Sequence, residues 1–151
     1  MKIFRCFIND IAYALEAICV VKHEEDGNPI EFVTEESMRN FLSEPNNYLI
    51  VALIDKIVVG YIVAYELQRV DRNMKFMFFY EIGVLTKYRN QGIGSSLINF
   101  LKEICKEKKI IKMWVGTNRS NLSAMRLYSK TGGKEDSNGD EVSFTYYPPF
   151  D

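Results

Sequence analysis

The chain has 151 residues, a length that suits one domain with a hydrophobic core of its own. Hydrophobic residues make up 47% of the sequence and charged residues 26%, a balance that excludes an intrinsically disordered chain. The formal net charge of -1 lacks the basic excess that nucleic-acid-binding proteins carry, so we expect no nucleic-acid partner.

The first third of the chain predicts one strand followed by two helices. Residues 2–8 form the predicted strand, and Asp10 then caps a helix whose apolar side chains recur at helical spacing. A polar, acidic loop with a turn signal at its centre is predicted over residues 23–32. Thr34 is the predicted N-cap of the second helix, which ends before Pro45.

The rest of the chain predicts three antiparallel strands, then helices alternating with strands. The order is therefore βααβββαβαβ, a mixed α/β fold in one domain over residues 1–151. The crossover helix should place the strand at Ile110 parallel to the strand at Lys75. The predicted strands cover residues 48–53, 57–66, 75–85, 110–116 and 141–147, and the predicted helices cover residues 92–108 and 121–130.

Cysteine spacing and hydropathy indicate a cytoplasmic protein. Cys6, Cys19 and Cys105 are far apart and show no Cys-x-x-Cys spacing, so we expect reduced thiols and no metal site. No run approaches the roughly 20 apolar residues of a membrane span. Charges spread evenly through residues 2–16 are unlike a signal peptide, and we expect no membrane partner.

The segment 89–95 reads Arg-Asn-Gln-Gly-Ile-Gly-Ser between a hydrophobic strand and an amphipathic helix. Two glycines let a ligand approach the backbone closely, and the N-terminus of the helix attracts a phosphate. A plain strand-to-helix turn would show the same glycines. A Walker A loop would end in Gly-Lys-Ser/Thr, and a dinucleotide loop would have a third glycine where this chain has Leu97. The pattern therefore excludes nucleoside triphosphate and nicotinamide loops.

Three segments together resemble the GNAT superfamily of N-acetyltransferases. Arg-x-x-Gly-x-Gly at residues 89–94 resembles the family's acyl-CoA pyrophosphate loop, and Tyr-Glu-Ile-Gly-Val at residues 80–84 resembles the strand before it. Residues 121–132, with Asn, Ala, Leu-Tyr and Gly in place, resemble the family's second signature. The segments stand in the family's order, and the element order matches across nearly the whole chain. The resemblance implies the GNAT fold and an acetyl-CoA-dependent N-acetyltransferase without a metal.

The resemblance also implies which residues bind acetyl-CoA. In the family, the strand before the loop splays from its neighbour, its free backbone groups pair with the pantetheine arm, and Gly83 would ease a bulge here. Arg89 equally suits a solvent-facing arginine, and Asn121 equally suits a helix N-cap. The implied cofactor-binding residues are Ile82, Val84, Arg89, Gln91, Gly92, Gly94, Ser95 and Asn121.

Two residues match the family's catalytic positions. Glu81, on the strand that borders the cleft, would take a proton from the acceptor ammonium directly or through water. A glutamate on the sheet surface or one that binds substrate is the alternative. Tyr128 would donate a hydrogen bond or its phenol proton to the departing thiolate, since the pKa values of a phenol and a thiol, about 10 and about 8.5, lie close together. An aromatic ring packed on the sheet is the alternative for Tyr128.

The chain after residue 38 resembles the GNAT-type aminoglycoside 3-N-acetyltransferases, which implies a cationic aminoglycoside acceptor. Two positions differ: Glu81 replaces an aspartate of that class, and Gly133 replaces a bulky apolar residue. Acidic residues near the acceptor cleft of the family would suit a polycation, although each also suits an ordinary solvated surface. His23 is interpreted as a surface residue. The acidic residues are Glu24, Glu25, Asp26, Glu31, Glu135, Asp136, Asp140 and Glu141.

Other readings stay open at this point. The acceptor amine could instead belong to a polyamine, a protein N-terminus or a lysine. A GNAT-fold module that binds acyl-CoA without turnover is a third reading, although retention of both Glu81 and Tyr128 argues against it. The aromatic, β-branched C-terminal strand could mediate a homodimer.

Overall fold

A computed structural model describes residues 1–26 and 33–151, and one twisted sheet of seven strands forms its centre. The strand order across the sheet is β1-β2-β3-β4-β5-β7-β6. This confirms the mixed α/β fold. The strands are β1 Lys2–Arg5, β2 Asn47–Ile54, β3 Ile57–Gln68, β4 Lys75–Val84, β5 Lys112–Asn118, β6 Lys134–Asn138 and β7 Glu141–Tyr146.

Every neighbouring pair of strands is antiparallel except β4 and β5, which run parallel as the crossover predicted. The hairpin between β2 and β3 turns through two residues, Asp55 and Lys56, which have positive φ angles of 50° and 67°. Turns of this kind match the right-handed twist of the strands they join. β5 begins two residues later than predicted, because Ile110 N donates a hydrogen bond back to Cys105 O.

The helical run after β1 differs from the prediction in two ways. Asp10 does not cap α1 with its side chain; its carboxylate instead accepts a hydrogen bond from Phe7 N at 3.0 Å, across a short 3₁₀ turn. The predicted loop begins with helix, since residues 23–26 continue the run as α2, and residues 27–32 lie outside the described part. Between α1 and α2 the backbone widens into a π-helical turn. The elements are α1 Ile11–Glu16, the π-helical turn Ala17–Lys22 and α2 His23–Asp26.

The remaining helices follow the sequence closely. Thr34 caps the next helix as predicted, because Ser37 N donates a hydrogen bond to Thr34 Oγ1 at 3.0 Å. That helix ends at Ser43, before Pro45. The two later helices begin and end within a residue or so of the predicted bounds. They are α3 Glu35–Ser43, α4 Ile93–Glu107 and α5 Leu122–Lys130.

One strand lies outside the predicted order. β6 pairs antiparallel with β7, from Lys134 opposite Thr145 to Asn138 opposite Glu141. Its sequence is Lys-Glu-Asp-Ser-Asn, which shows none of the apolar alternation that identifies a strand. Pairing along the edge of β7 stabilises this strand, and nothing in its own sequence reveals it.

Helices cover the two faces of the sheet unequally. α4 and α5 pack on one face and bury a large cluster that includes Phe79, Leu97 and Phe144. α1, the π-helical turn and α3 pack on the other face over β2 and β3, where Ala17, Met38 and Tyr61 are buried. β4 therefore marks the border between the covered and the open half of this second face.

Two of the three cysteines, Cys6 and Cys105, are buried, and Cys19 is exposed. All three cysteines are free thiols, and burial raises the pKa of Cys6 and of Cys105 to about 12. Within residues 1–26 and 33–151, no helix is both long and apolar enough to cross a bilayer. The same residues include no group of three or more His, Cys, Asp or Glu side chains arranged to hold a metal ion.

Candidate active site

The parallel ladder between β4 and β5 ends halfway along β4. The last paired residues are Phe78 and Trp114, and beyond them β4 continues along β3 while β5 continues along β7. The two strands thus separate into a wedge-shaped opening between residues 79–84 and residues 115–118. A Cβ built on Gly116 would meet no atom within 4 Å, so the face of the sheet above Gly116 is open.

A β-bulge in β4 marks the start of the opening. Val63 pairs with Glu81 and Ala64 with Phe79, which leaves Tyr80 as the extra residue. The bulge expected at Gly83 is therefore three residues earlier, and Gly83 pairs regularly with Tyr61. A bulge residue can keep a right-handed backbone that any side chain adopts, so no glycine is needed there.

The backbone of β4 beyond the ladder faces the opening at Ile82 and Val84. Leu85 N donates to Val59 O of β3 at 2.9 Å. Because peptide groups alternate in direction along a strand, the N–H and C=O groups of Ile82 and Val84 point away from β3, into the opening. The guanidinium of Arg89 reaches the same edge and donates from Nε to Val84 O at 3.0 Å.

The loop before α4 has the backbone shape of an anion-binding turn. Gly92 is the N-cap of α4, has a φ of 82°, and has open space where a Cβ would be. Asn90 also has a positive φ, 60°. The free N–H groups of the first turn of α4 point out of this loop. Gly94 has a structural role as well, since a Cβ there would approach Leu127 Cδ2 at 3.1 Å.

Glu81 forms an ion pair with Lys22, whose ammonium donates to Glu81 Oε2. About a quarter of each side chain is exposed. Lys22 ends the π-helical turn, so this turn places a cation against the residue predicted to act as the base. Tyr65 borders the pair, and burial together with neighbouring Tyr80 and Glu81 raises its pKa. Sequence reasoning missed Lys22, because the partner is 59 residues away along the chain.

Tyr128 lies on the opposite face of the sheet from Glu81. Its ring packs edge-on against Phe79 with a centroid distance of 5.6 Å and against Phe144 at 5.4 Å. Phe79 is the first residue of β4 beyond the ladder to β5, so Tyr128 lies beneath the start of the opening. Only 4% of Tyr128 is exposed. The packing role predicted as the alternative is present, and it leaves the proton-donor role open.

Asn121 and Gly133 have clear structural roles in this fold. Asn121 Oδ1 accepts a hydrogen bond from Ala124 N at 3.1 Å and so caps α5. A Cβ on Gly133 would lie 2.7 Å from Tyr146 Cζ, because the Tyr146 ring fills that space. Tyr146 is held there by hydrogen bonds with Thr131 Oγ1 and with Tyr128 O. The Tyr146 ring of β7 thus occupies the space that a bulky side chain at position 133 would fill.

Five aromatic side chains form a continuous surface beside Glu81, which we call the aromatic wall. Tyr80 and Phe78 have ring centroids 5.7 Å apart, and Phe78 stacks on Trp114 at 5.1 Å with an angle of 20°. Tyr80 is 53% exposed. The aromatic wall consists of Tyr65, Phe76, Phe78, Tyr80 and Trp114.

Two connected cavities continue from the aromatic wall across β5, β7 and β6. An open groove of about 850 Å³ is lined by Gly116, Asp136 and Glu141 among others. A smaller cavity of about 160 Å³ lies between Trp114, Asp136 and Ser143. Asp136 and Ser143 line both. These cavities lie beside the β4–β5 opening.

The acidic residues predicted near the cleft have different surroundings. Glu24 accepts a hydrogen bond from Thr86 N at 3.0 Å, which lowers the pKa of its carboxyl. Glu135 pairs with Arg119 at 2.6 Å. Asp136 and Glu141 line the groove, whereas Glu31 lies outside the described residues. Asp140 is exposed, and so is His23, which was predicted as a surface residue.

Comparison with known proteins identifies relatives of this fold. The family model described as the acetyltransferase (GNAT) family matches residues 10–133. An uncharacterized N-acetyltransferase of Mycobacterium tuberculosis is 28% identical over 94 residues, which are 62% of this chain and 57% of that protein. The match thus spans little more than half of that relative's length.

Solved structures share the fold over almost the whole chain. An aminoglycoside acetyltransferase, meta-AAC0020, from an uncultured soil metagenomic sample and in complex with sisomicin has a TM-score of 0.84. It is 23% identical and covers 91% of this chain and 90% of its own. The PaiA N-acetyltransferase of Thermoplasma acidophilum, in complex with coenzyme A, has a TM-score of 0.69 at 16% identity. That alignment covers 97% of this chain and 98% of the other.

Proposed function

This chain belongs to the acetyltransferase (GNAT) family, and we propose that it transfers an acetyl group from acetyl-CoA to a primary amine of an aminoglycoside. The transfer would proceed by direct attack of the amine in a ternary complex. The observation that carries this proposal is the opening between β4 and β5. The opening has Glu81 on one face of the sheet, Tyr128 on the other, and the Gly92 loop at its end.

The residues around the opening fit acetyl-CoA. The outward backbone groups of Ile82 and Val84 are an edge on which the amides of a pantetheine arm can pair. The left-handed Gly92 and the N-terminus of α4 offer N–H groups and a positive dipole end to the pyrophosphate. In this proposal Gln91, Gly94 and Ser95 add their backbone N–H groups, Arg89 adds a positive charge, and Asn121 hydrogen-bonds the pantetheine amides.

The protein's own residues handle the protons of the reaction. Acetyl-CoA, when bound, supplies the activated acyl group and a thiolate leaving group. Glu81 accepts the proton that the acceptor ammonium must lose, and its carboxylate orients the amine toward the opening. Tyr128 holds a phenol proton for the thiolate side, with its ring fixed between Phe79 and Phe144. Burial of Tyr128 keeps water from its side of the opening.

A polycationic acceptor is supported by the charge and shape of the open half of the sheet. Asp136 and Glu141 line the groove beside β5, and Glu81 lies on the neighbouring strand β4. Carboxylates in a groove attract a ligand that carries several ammonium groups. Similarity of fold to an acetyltransferase crystallised with sisomicin supports the same choice. Polyamines, lysines and protein N-termini are the competing acceptors, and a cytoplasmic location stays a prediction.

A thiol-release assay with acetyl-CoA tests the proposal across sisomicin, spermidine and a lysine peptide. We expect release of coenzyme A with sisomicin, and little release from the Glu81→Gln variant at neutral pH. Release with another amine alone would keep acetyl transfer and overturn the aminoglycoside acceptor. Binding of acetyl-CoA without release for any amine would instead support a non-catalytic acyl-CoA-binding module.

A further inference from the structure

We propose that the aromatic wall binds the ring face of a cyclic amino sugar while the sugar's ammonium group reaches Glu81. This inference rests on the proposed function of the same cleft and names the part of the acceptor that determines specificity. Its starting point is that the rings of the aromatic wall touch one another in sequence, from Tyr80 through Phe78 to Trp114.

The aromatic wall is more exposed than the packing of the core requires. α1, the π-helical turn and α3 cover β2 and β3, so the second core ends near Tyr65. Tyr80 is 53% exposed beyond this border, and Phe76, Phe78 and Trp114 are each partly exposed. A contiguous apolar surface rimmed by polar groups is typical of a binding site. The apolar C–H face of a saturated sugar ring would replace the water on these rings.

Charges at the two ends of the aromatic wall give it a direction. Glu81 follows Tyr80 in β4, and Tyr65 borders both residues. At the other end Lys112 Nζ lies 5.8 Å from the Trp114 ring, and the Arg69 guanidinium lies 5.6 Å from the Phe76 ring. Arg69 is paired with Asp71, so it is Lys112 that repels an ammonium group from the Trp114 ring at the far end. A bound amino sugar would therefore direct its reacting amine toward Glu81, where that ammonium has to displace Lys22.

The groove beside Trp114 supplies polar partners for the rest of the sugar. Asp136 and Ser143 line both cavities next to the indole ring. A carboxylate and a hydroxyl suit the hydroxyl groups of an amino sugar. A linear polyamine could use these carboxylates but has no ring face for the aromatic wall. The surface therefore favours a cyclic acceptor.

Trp114 is the only tryptophan of the chain, so its fluorescence reports directly on the aromatic wall. The experiment titrates the full chain with sisomicin and, separately, with spermidine, and follows the tryptophan emission without acetyl-CoA. We expect a saturable change in emission with sisomicin and none with spermidine. No change with sisomicin, or the same change with spermidine, would overturn the proposal.

A pair of matched variants separates stacking from general effects. Tyr80 and Phe7 are exposed to similar extents, 53% and 56%, but Phe7 follows β1 at the far edge of the sheet. Tyr80→Leu should raise the dissociation constant of sisomicin roughly three- to tenfold, the range of an aromatic contact, and Phe7→Leu should not. Equal effects of both variants would contradict the aromatic wall as the binding site.

Tryptophan fluorescence tests the aromatic wall and acetylation tests the proposed function, so either proposal can fail without the other. An emission change with sisomicin but no acetylation of it would leave the aromatic wall supported and remove the proposed acceptor. Acetylation of sisomicin with no emission change would leave the proposed function supported and overturn the role of the aromatic wall.

Discussion

Lys22, the last residue of the π-helical turn, forms an ion pair with Glu81 on β4. In the proposed function this pair lies on the acceptor side of the cleft. The ammonium of Lys22 thus lies where the ammonium of an acceptor would approach the base. An acceptor ammonium that approaches Glu81 has to displace the Lys22 ammonium or overcome its electrostatic repulsion. The pair makes Lys22 a competitor for Glu81 and a source of discrimination among amines.

Replacing Lys22 by methionine should lower the KM of a cationic acceptor by about fivefold. The physical reason is the loss of a like charge next to the ammonium site, worth about 1 kcal/mol for partly exposed groups. Steady-state kinetics at saturating acetyl-CoA measure the effect. Lys22→Arg keeps the charge and should leave the KM near the wild-type value. A higher KM for Lys22→Met would show that Lys22 helps to hold the acceptor or to position Glu81.

Replacing Glu81 by glutamine should lower kcat by about 100-fold or more at neutral pH, because the amide cannot accept the ammonium proton. The deficit should shrink as the pH rises toward the pKa of the acceptor amine, since free amine then arrives without help. A pH profile of kcat/KM for both proteins measures this. A deficit that stays constant with pH would mean that Glu81 binds substrate without acting as the base.

Replacing Tyr128 by phenylalanine should lower kcat by roughly 10- to 100-fold while the ring contacts with Phe79 and Phe144 persist. The packing role and the proton role separate here, because the variant keeps the ring and loses only the hydroxyl. Thermal unfolding checks the fold, and Tyr147→Phe, at a 55% exposed tyrosine, is the control. An unchanged kcat would contradict the proton role of Tyr128 and leave it with the packing role of its ring.

Replacing Gly92 by alanine should raise the KM for acetyl-CoA by about tenfold. Alanine at a φ of 82° costs about 1 to 2 kcal/mol, so the loop would leave the shape that exposes the first N–H groups of α4. Gly132→Ala is the matched control, because Gly132 has a φ of 92° and equally open space at the end of α5. Both variants should lose similar stability. A KM increase in both would point to a general loosening of the fold.

The sequence predicted the elements whose apolar side chains recur at regular helical spacing, such as α4 and α5, and it predicted the Thr34 cap. The sequence did not predict the features that depend on contacts formed only in the folded chain. β6 has a polar sequence and exists because β7 offers a paired edge. Asp10 bonds to Phe7 N instead of capping α1, a local choice that the sequence leaves open.

The candidate site shows the same division. The Gly92 loop and the positions of Ile82 and Val84 follow from a local motif. The aromatic wall does not, because the bulge at Tyr80 changes the alternation of side chains along β4. Alternation from Phe76 and Phe78 would place Tyr80 and Glu81 on opposite faces, yet both border Tyr65. Lys22 was hidden for a related reason, since only the folded sheet brings the π-helical turn to β4.

Glu66 provides a test of the fold that is independent of the acceptor. It is buried at 4% exposure and accepts hydrogen bonds from Tyr48 Oη at 2.6 Å and from Lys75 Nζ. Burial alone would raise the pKa of Glu66, but the hydrogen bonds from Lys75 and Tyr48 outweigh burial and lower it. A carboxyl with a lowered pKa stabilises the folded state above its unfolded pKa, about 4.5, and loses that contribution as the pH falls through its folded pKa.

Glu66→Gln should therefore lower the free energy of unfolding by about 2 kcal/mol at pH 7, since the charge-assisted hydrogen bonds are weakened. The difference from wild type should shrink as the pH falls from about 4.5 through the lower folded-state pKa of Glu66, because the carboxyl is then protonated first in the unfolded and next in the folded state. Urea unfolding at pH 7 and at pH 3 measures both values. Tyr48→Phe removes one hydrogen bond but keeps the carboxylate and its partner Lys75, so part of the pH dependence should persist. A Glu66→Gln deficit of equal size at both pH values would mean that Glu66 contributes packing and no ionised hydrogen bonds.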